Sequence, residues 1–151
     1  MRNYLFSASI LLILAANSPA QDWRSLKPLT SNCDDVKRIL DVKTCSFPVS
    51  SYEFPKVRIN ITFKVDPNNR NSVKAPISRI LISFTELVKL TGFESNLSEF
   101  RVGPDGDIGD GKIYKNDAAG FSFTTQKLSK GGEEFVTSAD LYVRRVHKRK
   151  H

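Results

Sequence analysis

The chain has 151 residues, 40% of them hydrophobic and 26% charged, which is one domain's worth of material and enough to bury a core without covalent staples. Its formal charge of +7 favours acidic partners such as anionic glycans, lipid headgroups or nucleic acid, with solubility alone as the competing explanation. It contains only two cysteines, Cys33 and Cys45, and two histidines, His147 and His151, set far along the chain; this excludes a structural zinc site.

Residues 1–20 read as an export signal. Arg2 supplies a short positive start, an apolar run follows from Tyr4 to Ala16, and Ser18-Pro19-Ala20 places small residues where a signal peptidase cuts. The apolar run falls short of the roughly 20 residues that a bilayer core requires. No later stretch is apolar enough to span, and no cysteine stands at the cleavage site to carry a lipid. The expectation is therefore an exported protein, periplasmic or extracellular, with a single globular domain over 21–146 and a basic tail over 147–151.

Within that domain, 21–30 is expected to be irregular, with Trp23, Leu26 and Leu29 dropping into the edge of the core. Asn32 is a good helix cap and Asp35 stands at the third helical position; Val36, Ile39 and Leu40 share one face, so a short helix is expected at about 32–41. A helix this short needs a sheet to lie on. After export, Cys33 and Cys45 would meet an oxidising compartment, and a bridge between them would close a short loop worth about 3 kcal/mol in loop-closure entropy.

The clearest strand runs from Lys56 to Val65, where apolar 57, 59, 61, 63 and 65 alternate with polar 56, 58, 60, 62 and 64. Val49–Phe54 is its hairpin partner, with Pro55 between them. Ile77 to Phe84 forms a third strand, and 85–90 reads equally as a helical turn or a strand extension, ended by Gly92 in either case. Further strands are expected at 98–102, 112–115, 121–125 and 135–146, separated by Gly/Asp and Asn/Asp turns. The fold class expected is α+β: a short N-terminal helix packed on an antiparallel sheet of about six strands.

The block Trp23-x-x-Leu26-x-Pro28-Leu29-x-Ser31-x-x-x-Asp35-Val36-x-x-Ile39-Leu40 resembles the opening of a family of uncharacterised exported bacterial proteins. The likeness continues more weakly through Leu97-Ser98-x-Phe100 and Tyr114-x-Asn116-x-x-x-Gly120-Phe121. Asp41 stands where that family usually has glycine, which leaves the helix ending open. No activity comes with this resemblance. The helix-then-hairpin order over about 29–65 is also similar to the outer-membrane assembly lipoprotein BamE and to β-lactamase-inhibitor-protein-like domains, which implies a fold and no binding residues.

The chemistry-bearing residues are sparse. The loop 103–111 carries Asp105, Asp107 and Asp110, oxygen ligands of the kind calcium takes, but the ordered calcium-loop spacing fails because Gly109 and Asp110 stand at the wrong positions. There is no G-x-S-x-G elbow, no phosphate-binding glycine loop and no histidine placed to act as a base, so no catalysis and no cofactor are expected. Asn60-Ile61-Thr62 and Asn96-Leu97-Ser98 match a three-residue glycosylation pattern only. Arg144, Arg145, Lys148, Arg149 and Lys150 concentrate positive charge at the C-terminus and are the residues where any polyanion affinity is expected.

These readings converge on a non-catalytic exported domain of the cell envelope that binds or supports a partner, an envelope protein or an anionic polymer, with nucleic acid disfavoured. The alternatives are an envelope hydrolase using two carboxylates and a secreted inhibitor of an enzyme. A cleft with two facing carboxylates would favour the hydrolase, and a large exposed apolar or aromatic patch would favour the partner-binding readings.

Overall fold

Asn32 opens the helix that the sequence marks. In the computed structural model, which describes residues 23–68, 73–94, 96–104, 110–129 and 132–143, this helix is α1 (Cys33–Leu40). The Asn32 side-chain oxygen accepts from the amides of Asp34 at 2.9 Å and Asp35 at 3.3 Å, and the Asp35 carboxylate accepts from the Asn32 amide at 3.1 Å. The reciprocal cap is complete. Arg38 donates to the same carboxylate at 2.9 Å; this bond, with the one from Asn32, lowers the Asp35 pKa. The helix ends at Asp41, which takes the left-handed backbone (φ 53°) that glycine would adopt without cost, and the Val42 amide closes the end on the Lys37 carbonyl at 3.2 Å.

The rest of the described chain is mostly strand: β1 (Val49–Phe54), β2 (Val57–Phe63), β3 (Ile77–Lys89), a short helix α2 (Leu90–Phe93), a 3-10 turn (Leu97–Glu99), β4 (Arg101–Pro104), β5 (Lys112–Asn116), β6 (Phe121–Lys127) and β7 (Glu134–Tyr142). They form one antiparallel sheet in the order β1-β2-β3-β7-β6-β5-β4. The fold is α+β as expected, with seven strands rather than about six.

Several local expectations are corrected. The 85–90 stretch continues β3 as far as Lys89, and Gly92 lies inside α2 rather than ending the strand. Residues 98 and 99 belong to the 3-10 turn, so β4 starts only at Arg101. The strand expected at 135–146 runs from Glu134 to Tyr142 and sits in the interior of the sheet between β3 and β6. Leu29 points outward, 51% exposed, with its backbone turned to φ 69°. Its amide is spent on the Ile77 carbonyl (2.7 Å), and the Ile77 amide returns to the Ser31 carbonyl (2.8 Å), so the segment before α1 is tied to the start of β3 by its backbone instead.

The core lies on one face of the sheet. The pairing register puts Tyr52, Ile59, Ile82, Ala139, Phe123, Tyr114 and Val102 in one row across all seven strands. A parallel row carries Ser50, Ile61, Ile80, Leu141, Phe121 and Asn116. A register shift at Thr124/Thr125 turns Val136 and Ala139, three residues apart on β7, to the same side, and both are buried. Cys33, Val36 and Leu40 of α1, with Trp23 and Leu26, complete the buried cluster. Over the second half of the sheet the cover is aromatic. Phe93 and Phe100 each meet Phe123 edge-on at 5.2 Å, and Tyr114 stacks on Phe123 at 4.7 Å. Arg24 lies 4.5 Å over the Phe93 ring and donates to the Phe93 carbonyl at 2.7 Å, fastening the N-terminal segment to α2.

Candidate functional site

The other face of the same sheet has no buried residue. One row runs Ser51, Asn60, Leu81, Asp140, Ser122, Lys115, Arg101, and the next runs Glu53, Arg58, Ser83, Ser138, Thr124, Ile113, Gly103; every member is half-buried or exposed. Strand alternation dictates this outcome, since each core residue on a strand is flanked by two residues of the opposite face. The face carries a shallow depression of about 360 Å³ over β3, β7, β6 and β5, lined by Leu81, Ile113 and Phe123 among hydroxyl and charged residues.

An ion pair joins two of the lining residues. Arg79 Nε donates to Asp140 Oδ1 at 2.9 Å and Nη2 to Oδ2 at 2.7 Å, a two-pronged fork between residues 61 apart in sequence. The hydrogen bond and the charge of Asp140 raise the Arg79 pKa further. At one end of the depression, Tyr142 Oη donates to Asp117 Oδ1 at 3.1 Å, and Arg101 pairs with the second oxygen of Asp117. Burial, then the Asp117 carboxylate, push the Tyr142 hydroxyl up to about 12. The bond from Tyr142, with the charges of Arg101 and Lys115, lowers Asp117. The hydroxyls of Ser122 and Ser138 and the ammonium of Lys115 make no hydrogen bond or ion pair within the described residues.

A second cluster sits where the covered face opens at the end of the sheet. Glu134, its side chain 13% exposed, accepts from Lys112 Nζ (2.5 Å), Tyr114 Oη (2.8 Å) and Thr125 Oγ1 (3.2 Å). Burial alone would raise its pKa, but the three donors outweigh burial and leave it lowered. Burial and the Glu134 carboxylate push the Tyr114 hydroxyl up to about 12. Glu133 and Glu134 line a common cleft of about 260 Å³. Each is committed to a lysine, Glu133 to Lys89 at 3.0 Å and Glu134 to Lys112, whereas a general acid needs a carboxyl whose pKa is raised. Beside this cluster, Leu87 and Leu128, both 63% exposed, flank a small groove of about 130 Å³ with Phe84 and Phe135.

The residues singled out in the sequence fall elsewhere. Cys33 and Cys45 are joined, with Sγ atoms 2.22 Å and Cα atoms 6.1 Å apart. Asp110 is an exposed turn residue; Asp105 and Asp107 lie outside the described residues, and among the described residues no group of three or more His, Cys, Asp or Glu side chains is placed to hold a metal. Arg144, Arg145, Lys148, Arg149 and Lys150 also lie outside the described residues, as does the segment 1–20. No described helix is long and apolar enough to cross a membrane. The residues that line the open face, Arg79, Asp140, Lys115, Ser122, Ser138 and Tyr142, were not singled out in the sequence. Their only signal was their position at the polar beats of alternating strands, which marks a wet face but not which strands stand side by side.

Comparison with protein-family models, curated proteins and solved structures finds no match for this chain. What it does is therefore argued from its own residues.

Proposed function

We propose that this chain is a non-catalytic exported domain of the cell envelope that binds a partner through the open face of its sheet. The observation that carries the reading is the contrast across the sheet. One face is covered by α1, α2 and the aromatic cluster, while the other is without a buried residue and presents unpartnered polar groups in a depression. Folding leaves such a surface in water, and a macromolecule laid on it can exchange those water contacts for its own. The cysteine pair at bonding distance supports an oxidising compartment, and the leader-like residues 1–20 support export. The hydrolase reading draws on one feature, the Glu133/Glu134 cleft, and both carboxylates there are bound to lysines.

The test is site-specific photo-crosslinking in the exporting cell. A crosslinker at position 138, on the open face, is expected to yield adducts, whereas one at position 37, on α1, yields none. Adducts from 37 alone would refute the reading. N-terminal sequencing of the exported protein is expected to start at Gln21; a start before Ser18 would refute export by cleavage.

A further inference from the structure

We infer that Asn96 is an N-glycosylation site, whose side-chain nitrogen takes an oligosaccharide from a lipid-diphosphate donor once the chain has been exported. The inference rests on the export half of the proposed function and needs nothing from the open face.

Two segments match the Asn-x-Ser/Thr pattern, and the fold treats them in opposite ways. Asn60 is half-buried in the middle of β2, which is paired with β1 on one side and β3 on the other. A transferase could draw that segment out only by opening the sheet. Asn96 is exposed and opens the 3-10 turn Leu97–Glu99 on the connection from α2 to β4, outside the sheet. Ser98 is exposed as well; its hydroxyl donates to Asn96 Oδ1 at 2.7 Å and its amide to the same oxygen at 3.3 Å. Asn96 Nδ2, the atom that takes the sugar, is spent only on Glu99 Oε1 at 3.4 Å, a long bond that is easily given up. Leu97 and Phe100 pack against the core and fix the turn from beneath, so the acceptor stands on a surface bend where a bulky hydrophilic group is tolerated.

Charge separates the two segments again. Glu94 stands two residues before Asn96 and accepts from the Asn96 amide at 3.3 Å. A carboxylate there gives an enzyme a charge to read beside the Ser98 hydroxyl; at the same distance before Asn60 stands Arg58, a cation already paired with Glu53. The transfer is one displacement. Nδ2 bonds to the anomeric carbon of the donor sugar, the bond from that carbon to the diphosphate oxygen breaks with its electron pair, and one Nδ2 proton goes to a base of the transferase. Lipid diphosphate leaves, and nothing is oxidised or reduced. Donor and transferase belong to the export route, which is why the inference needs export. Leu97 and Phe100 are part of the cover of the sheet, so a glycan on Asn96 leaves the open face free.

The experiment is the intact mass of the full chain recovered from the envelope of the cells that export it. The mass is expected to exceed that of the chain beginning at Gln21 by whole sugar residues, and fragmentation is expected to place the excess on Asn96. Asn96→Gln and Ser98→Ala should each abolish the excess, while Ser98→Thr and Asn60→Gln should keep it. Retention in Ser98→Thr beside loss in Ser98→Ala ties the modification to the hydroxyl rather than to folding. Sugar that survives Asn96→Gln, or that fragmentation places on Asn60, would overturn the inference. A bare protein that starts at Gln21 would overturn it and leave export standing, whereas a bare protein that still carries residues before Ser18 would overturn both.

Discussion

The two faces of the sheet are made by the same seven strands, residue by alternate residue, yet they have opposite fates. Phe123 is buried among the rings of Phe93, Phe100, Phe121 and Tyr114, while its neighbour Ser122 stands half-exposed on the open face without a partner. The covered face is where the stability lies, because apolar area leaves water there. The open face adds little to folding and can therefore vary its chemistry at low cost. A surface that folding does not use is the natural place to look for what the protein binds.

That contrast is open to direct attack. Phe123→Ala should cost about 3–5 kcal/mol, the range for emptying a buried aromatic site, whereas Ser122→Ala should stay within about 0.5 kcal/mol. Denaturant unfolding of the two variants would measure the asymmetry, and comparable losses would mean that the open face also carries the fold.

Cys33→Ser tests how the cover is held. The cysteines are 12 apart in sequence, and the bridge pins the start of α1 to the segment before β1. Its loss should cost about 3 kcal/mol under oxidising conditions and nothing under strong reductant, with binding to the open face unchanged. A loss of the same size in reductant would point to packing at Cys33 instead.

Where the covered face meets water, Glu134 should give the stability its pH dependence. Its folded pKa is lowered, so its contribution is present above the unfolded value of 4.5 and drains away as pH falls through the folded value. Tyr114 has the opposite sign. Its folded pKa is raised from 10.0 to about 12, so its contribution is whole below 10.0 and is lost as pH climbs towards 12. Glu134→Gln should cost about 1–3 kcal/mol at neutral pH and flatten the acid limb. A stability profile over acid pH that is identical in both proteins would remove Glu134 from the account.

One substitution is expected to bring a gain. Asp41→Gly relieves a left-handed position and should stabilise by about 0.5–1 kcal/mol, since glycine takes that backbone freely. A lower melting temperature for the glycine variant would show that the aspartate contributes something besides the turn.

Local chemistry was legible in the chain itself. Asn32 and Asp35 announced the start of α1 because capping is a contact between near neighbours, and β2 was plain because strict alternation has only one comfortable backbone. The hairpin of β1 and β2 and the α+β class followed from the same short-range signals, and the cysteine pair from a count of two in a chain expected to meet an oxidising compartment. Strand order was not legible, because hydrophobic patterning says which side of a strand is buried and nothing about its neighbours. Tertiary packing placed β7 beside β3, and only that brought Arg79 to Asp140 across 61 residues. It also decided the length of β3, whose ambiguous 85–90 stretch became strand as far as Lys89 because Val88 and Lys89 found partners at Val136 and Phe135. Leu29 shows the same limit in a single residue: an apolar side chain faces water because its backbone is tied to Ile77, a constraint that no reading of the neighbouring residues contains.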